Sequence, residues 1–367
     1  MHIARSRPFF YDIIVYMFNL FKKKSIKISV CVPVCGTQKF LSACLESICS
    51  QSFCGFEIIV VDDEGIERLK EKKLNTRQIL KEFCKKHKSS NFCIRFIQHE
   101  KNKGLVEARR SAVYAATGKY IMFVDSDDFL LPDALSTLYD IAEKKGADIV
   151  HGRAKVKTRQ ELKNLSEKDK KFSENRILEI TKKITNVFVG TDGSSEGFLC
   201  KGEILNGFLV QRNHCGFLWA KLFERELCLN AFEKIPPVYC VFAEDFLIYF
   251  FLAFYAKKYA GIKNEVYSYC VDTGISSEKK IYSLEQWKKV CSAASASTVL
   301  LDFVQEKDIE NKTLTETEIE ELKKICRYYA KNNLEQLKKT VIPELQTQAY
   351  EELCEWWGKE MIKSVEE

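Results

Sequence analysis

Residues Tyr120 to Leu135 read YIMFVDSDDFLLPDAL. A run of five apolar or aromatic residues ends directly in Asp125, Asp127 and Asp128. Carboxylates this close repel one another, and a divalent cation offsets the repulsion. An oxygen-rich, partly hydrated site of this kind suits magnesium or manganese. A calcium loop of the EF type fails, because it would need an oxygen at Phe129 and a glycine at Leu130. A helix cap before Pro132 would explain Asp128 but not the other two acids. Solvated acids at a strand end remain the plain alternative. A second acidic signal lies far downstream. Glu244 and Asp245 open the run FLIYFFLAFYA, which is apolar nearly all round and so reads as a buried helix. Asp245 there is either a helix cap favoured by the dipole or a general base held on a rigid element. The two roles are compatible.

The elements that must position these acids follow from periodicity. Strands are expected at Lys27–Pro33, Glu57–Val61, Cys93–Gln98, Tyr120–Val124 and Asp148–His151. Helices are expected at 40–50, 69–86, 105–116 and 132–145, the third stopped by Gly118 and the last opened by Pro132 and closed by Gly146. Short apolar strands alternating with helices indicate an α/β fold with a largely parallel sheet. Acids cluster at the carboxyl ends of two strands, the edge where open α/β sheets bind ligands. From about 155 to 216 the pattern loosens. The stretch GTDGSSEGF is expected to be a mobile loop, since no phosphate-binding glycine motif is present. Beyond about residue 283 the chain reads as helices, with amphipathic stretches at 316–340 and 349–362.

The chain has 367 residues, 46% of them hydrophobic and 29% charged, which is a globular composition. The net charge of +6 is concentrated at the start, where Arg5, Arg7, Lys22, Lys23, Lys24 and Lys27 face only Asp12. No basic stripe suggests nucleic-acid binding. The stretch from Phe9 to Phe21 is too short to span a bilayer. It is expected to form an amphipathic helix whose basic flanks, within residues 5–24, allow peripheral contact with an anionic membrane. The 15 cysteines, odd in number and several within apolar runs, read as reduced thiols of a cytoplasmic protein. Cys44, Cys49 and Cys54 miss zinc-site spacing.

Five segments together resemble glycosyltransferase family 2, inverting enzymes with the GT-A fold, and within it the bacterial surface-glycan transferases. They are ISVCVPVCG, CLESICSQSFCGFEIIVVDDEG, NKGLVEARRSAVYAATGKYIMFVDSDD, WAKLFERELC and AED, in that order, across about residues 27 to 269. The resemblance implies a GT-A domain over 27–275 with a nucleotide-sugar half to 151 and an acceptor half from 152, which leaves the basic amphipathic segment 1–26 before it and the helical region 276–367 after it. It implies a nucleotide-sugar donor, UDP-linked, and a hydroxyl acceptor on a glycan or lipid-linked sugar at the cytoplasmic face of a bacterial inner membrane. Asp63 would accept a hydrogen bond from the base, above Pro33. Asp125 and Ser126 would lie by the ribose, and Asp125 and Asp127 would hold Mn2+ or Mg2+. Arg109 would stand beside these acids, either at the donor or as a structural ion pair. Asp245 would be the catalytic base, with Glu244 and Trp219 on the acceptor side. His214 is more simply a loop histidine than a diphosphate contact.

The sequence departs from the family at the nucleotide. Cys35 and Gly36 replace a Tyr-Asn pair, so an aromatic lid over the base is missing, and Glu64 interrupts the usual D-D-G-S. Two other classes stay open at this level: a nucleotidyltransferase, although CGTQKF is a thin match to its glycine-rich basic loop, and a non-catalytic nucleotide-sugar-binding subunit. The C-terminal helices are left with three roles: pairing in a homodimer, covering the acceptor cleft or touching lipid.

Overall fold

The structure is a computed structural model. It describes residues 25–67, 75–87, 92–158, 177–178, 180–181, 186–189, 196–271, 280–305 and 314–366, with the backbone of 13–16. Its strands are β1 (Ile13–Tyr16), β2 (Ile28–Val34), β3 (Phe56–Asp62), β4 (Cys93–Gln98), β5 (Tyr120–Phe123), β6 (Phe129–Leu130), β7 (Ile149–Thr158), β8 (Glu196–Cys200), β9 (Lys221–Glu224) and β10 (Lys258–Val271). Its main helices are α1 (Gln38–Cys49), α2 (Thr76–Lys86), α3 (Leu105–Ala115), α4 (Ala134–Lys145), α5 (Glu203–Leu209), α6 (Arg225–Lys234), α7 (Glu244–Tyr255), α8 (Leu284–Cys291), α9 (Ala293–Gln305), α10 (Glu316–Thr340), α11 (Gln346–Trp357) and α12 (Lys359–Glu366).

One sheet runs in the order β1-β4-β3-β2-β5-β9-β7-β10-β6, with β8 pairing to β10. The stretch β4-β3-β2-β5 is parallel throughout. Every residue of β2 and of β3 is buried, as expected of strands covered by helices on both faces. The sheet reverses at β9, which lies antiparallel to both β5 and β7. The carboxyl ends of β2, β3 and β5 therefore stand side by side, and the chain emerges there at Val34, Asp62 and Val124.

The first turn of helix α7 meets this edge, and the rest of the helix packs into the core. Its residues Phe246 to Phe254 are all buried, so burial of aromatic and aliphatic surface, at roughly 1.5–3 kcal/mol per large side chain, holds it in place. The C-terminal helices build a separate core around Trp287, Leu334, Leu353 and Trp357. All 15 cysteines are free thiols. Among the described residues no helix is long and apolar enough to cross a membrane.

Three expectations need correction. Ile13–Tyr16 is a strand antiparallel to β4, not part of a helix, because the β-branched run Ile13, Ile14, Val15 completes the open edge of that strand. The rest of the expected N-terminal helix and its lysines lies outside the described residues. Helix α4 starts two residues after Pro132, where Asp133 takes a left-handed conformation. The single helix expected over 349–362 is two helices, broken at Gly358 with φ of 81°. Residues 68–74 of the expected second helix and 190–195 of the expected mobile loop lie outside the described set.

Candidate active site

A cleft of about 590 Å³ opens at the strand-end edge, and its walls include Pro33, Asp63, Asp125, Ser126, Asp127, Trp219, Glu244 and Asp245. Two acidic clusters 116 residues or more apart in sequence thus share one cavity. The link between them is Arg109, on the buried face of α3. Its Nη2 donates to Asp125 Oδ1 at 3.2 Å, and its Nη1 donates to Asp245 Oδ1 at 2.7 Å and Glu244 Oε1 at 3.4 Å. The side chain is 1% exposed, so it forms the floor of the cleft rather than its lining. Burial works against its charge, but Asp245, Asp125 and Glu244 outweigh that and raise its pKa.

Two carboxyls on α7 respond to the same setting. Burial, then the neighbouring Asp245, pushes Glu244 up to about 8 against the pull of Arg109. Burial likewise raises Asp245, with Arg109 opposing it and Asp125 adding to the rise. A carboxylate with raised basicity at the mouth of a cleft has the properties of a general base. The residue before them, Ala243, holds φ of 65°, a strained conformation that aims both acids from the first turn of α7.

This shift fixes a pH dependence of stability. Glu244 has a folded-state pKa of about 8 against an ordinary 4.5, so the folded state keeps a proton that the unfolded chain gives up. Its contribution is fully present below the unfolded value and is lost as pH rises through the folded one. The urea midpoint of Glu244→Gln should therefore match that of wild type near pH 5 and exceed it by a growing margin towards pH 8.5. A margin that stays flat across this range refutes the assignment.

The strand-end acids divide into two kinds. Asp128 turns away from the cleft, accepting from Tyr267 Oη at 2.8 Å and from the Cys270 backbone N–H at 2.6 Å. It is neither a helix cap nor a ligand but a tie between this loop and β10. Asp125 and Asp127 face the cleft, and Ser126 Oγ bonds to Thr37 Oγ1 at 2.5 Å. Among the described residues there is no cluster of three or more His, Cys, Asp or Glu side chains able to hold a metal. Two carboxylates on one cleft still fit a magnesium- or manganese-type site, in which substrate phosphates and water complete the shell.

Asp63 lines the cleft, but its oxygens are already engaged. His99 Nδ1 lies 2.6 Å from Oδ1, the Lys103 N–H donates to Oδ1 and the Gly104 N–H to Oδ2, each at 2.9 Å, and Asn102 Nδ2 donates to Oδ2 at 3.1 Å. These contacts occupy about all the lone pairs of a carboxylate. Asp63 thereby clamps the loop 102–104 to the end of β3. Gly104 sits at φ of 89°, and a Cβ there would stand 3.2 Å from the Cys240 backbone, so glycine is required. Glu64 accepts from the Gly36 N–H at 2.7 Å and from Gln38 Nε2 at 3.1 Å, fixing the loop after β2.

Trp219 reaches the cleft, but both its faces are covered. Phe217 stacks on one at a ring-centroid distance of 4.7 Å, and Tyr267 and Tyr269 stack against it at 5.2 and 5.3 Å. The cleft also meets Phe217 and Tyr269, which the sequence reading did not single out. His214 is buried beside Tyr249 and Tyr259, and burial depresses it to about 3, so it takes no part in the cleft.

A mixed sheet with acids at the ends of β3 and β5, met by the acidic first turn of a buried apolar helix, belongs to the GT-A class of fold. The structure of S. aureus TarS, residues 1–349 in complex with UDP, shares this fold with a TM-score of 0.54 and 18% identity, over 93% of this chain and 83% of that one. The sequence pattern of Glycosyl transferase family 2 matches residues 29–198, the part of the chain that carries β2 to β7 and the strand-end acids. Among curated relatives, glycosyltransferase GlyG of Streptococcus pneumoniae is 34% identical over 125 residues, which is 34% of this chain and 38% of that protein. The Escherichia coli protein UDP-Glc:alpha-D-GlcNAc-diphosphoundecaprenol beta-1,3-glucosyltransferase WfgD is 23% identical over 66% of this chain and 96% of its own length. The chain covers only 38%, 16% and 19% of three relatives that are 32–35% identical to it.

Proposed function

We propose that the protein is an inverting glycosyltransferase that moves a sugar from a nucleoside-diphosphate donor, a UDP-sugar, to a hydroxyl of a glycan or lipid-linked acceptor in bacterial surface-glycan synthesis. The observation that carries this is the shared cleft. Asp125 at the strand end and the acid pair of α7 bind one guanidinium, so a donor held by the strand-end acids has its sugar beside the pair. The acceptor in the name of WfgD, whose length the chain nearly spans, supports the acceptor class, and the UDP bound by TarS agrees with the donor.

The donor nucleotide lies between the end of β2, with Pro33, and the loop 102–104 that Asp63 holds. Asp125 and Asp127 would hold a manganese or magnesium ion, which supplies charge neutralisation for the departing diphosphate. Asp245 takes the proton from the acceptor hydroxyl as that oxygen attacks the anomeric carbon from the face opposite the nucleotide. The glycosidic bond to the diphosphate breaks in the same step, which inverts the centre. Glu244, protonated over much of the neutral range, donates a hydrogen bond on the acceptor side. Arg109 keeps Asp125 and Asp245 in register, so both substrates are held in line. The exposed faces of Phe217 and Tyr269, rather than those of Trp219, receive the acceptor ring.

A thermal-shift panel of UDP-, GDP- and CMP-sugars, followed by assay of sugar release with manganese, tests this reading. A UDP-sugar is expected to raise the melting temperature and to be turned over. Absence of both responses for every donor would reject the enzyme assignment. A nucleotidyltransferase would instead release pyrophosphate from a nucleoside triphosphate.

A further inference from the structure

Five carboxylates line the cleft: Asp63, Asp125, Asp127, Glu244 and Asp245. Among the described residues the only cationic side chain lining it is Lys289, which comes from α8 in the C-terminal bundle. Arg109 is not available to a ligand in the same way, since it is buried beneath the cleft and already bonded to three acids. A nucleoside diphosphate brings at least two further negative charges. A cavity with this lining needs a cation beside them.

The backbone places Lys289 deliberately. Ser292 Oγ accepts from the Val241 N–H at 2.9 Å and the Phe242 N–H at 3.3 Å, and it donates to the Lys289 carbonyl at 2.5 Å. These bonds fasten α8 to the segment that leads into Glu244 and Asp245. Two residues before Lys289, fully buried Trp287 donates from Nε1 to the Ala349 carbonyl at 2.8 Å, which locks the helix into its own bundle. Cys35 lines the same cleft, and a Cβ on the neighbouring Gly36 would meet nothing within 4 Å. The bulk that a Tyr-Asn pair would place there is absent. Lys289 lies within electrostatic reach of that strand end, since it opposes the burial and the acids that push the Cys35 thiol up to about 12.

We propose that Lys289 pairs with the phosphate charge of the donor nucleotide, so that the C-terminal helices complete the donor site. This deepens the glycosyltransferase reading and rests on it. The test is calorimetric titration of full-length protein with UDP and GDP, with uridine and guanosine as uncharged controls. Lys289→Met is compared with wild type and with Lys288→Met, whose side chain pairs with Glu352 at 3.3 Å and does not line the cleft. Lys289→Met is expected to weaken nucleoside-diphosphate binding at least tenfold, to change nucleoside binding less than twofold, and to leave Lys288→Met like wild type. Lys289→Arg, which keeps the charge, is expected to return affinity to within about threefold of wild type. Wild-type protein that binds neither diphosphate overturns the donor reading and this assignment together. Wild-type binding with unchanged affinity in Lys289→Met overturns the assignment alone. So do an equal loss for the nucleosides and a Lys289→Arg protein as weak as Lys289→Met.

Discussion

Asp245→Asn is expected to lower sugar transfer by roughly 10²- to 10⁴-fold, the usual contribution of a positioned general base. Donor affinity should be unchanged, because the strand-end acids and the loop at 102–104 are untouched. The variant should also fold well. Burial holds the wild-type carboxyl at a raised pKa, so its charged form is costly in the folded state at neutral pH, and a neutral isostere removes that cost. A protein that is at least as stable as wild type near pH 8, binds UDP normally and does not transfer sugar separates catalysis from structure. Wild-type activity should rise with pH as Asp245 loses its proton, and the residual activity of the variant should lack that limb. Unchanged turnover in Asp245→Asn would remove the base from the mechanism.

Arg109→Met should have the largest effect on stability. The arginine is 1% exposed and is the shared partner of Asp125, Glu244 and Asp245. Removing one partner of a buried ionic cluster leaves the others uncompensated, at a cost of about 3–5 kcal/mol. That is a large share of the stability of a typical domain. The orphaned carboxylates can escape only by taking up protons. The deficit should therefore shrink as pH falls from 8 towards 5, which urea denaturation at the two pH values would reveal. Arg109→Lys keeps a charge but not the fork that reaches both clusters, so it should lie between the two proteins. A variant as stable as wild type at pH 8 would show that the cluster does not depend on this residue.

What could be read from the sequence was what is local. The strands β2, β3 and β5 are largely apolar runs, and the ends of β3 and β5 carry acids, so both elements and candidate residues were visible. Contacts made across the chain were not. Asp128 could be set apart in sequence only as a helix cap, yet it is claimed by Tyr267 and Cys270, which lie more than 130 residues away. Asp63 reads as a free acceptor, but the loop that fills its lone pairs begins at Asn102. Trp219 has the right type for sugar stacking, and only the fold shows Phe217 and Tyr269 on its faces. Ile13–Tyr16 has both helical amphipathicity and β-branched residues, and the free edge of β4 decided between them. Lys289 carried no signal at all, since nothing near it in sequence marks a helix that returns to the cleft.

The reversal at β9 limits how this protein can be taken apart. Residues 221–224 are inserted between two strands that precede them in the chain, β5 and β7. A fragment ending near residue 151 would expose the bare hydrogen-bonding edge of β5 where β9 belongs, and the remainder would have lost its partner on the other side. The seam between β5 and β7 is thus stitched by a segment translated after both, and the sheet can close only once the chain has grown past it.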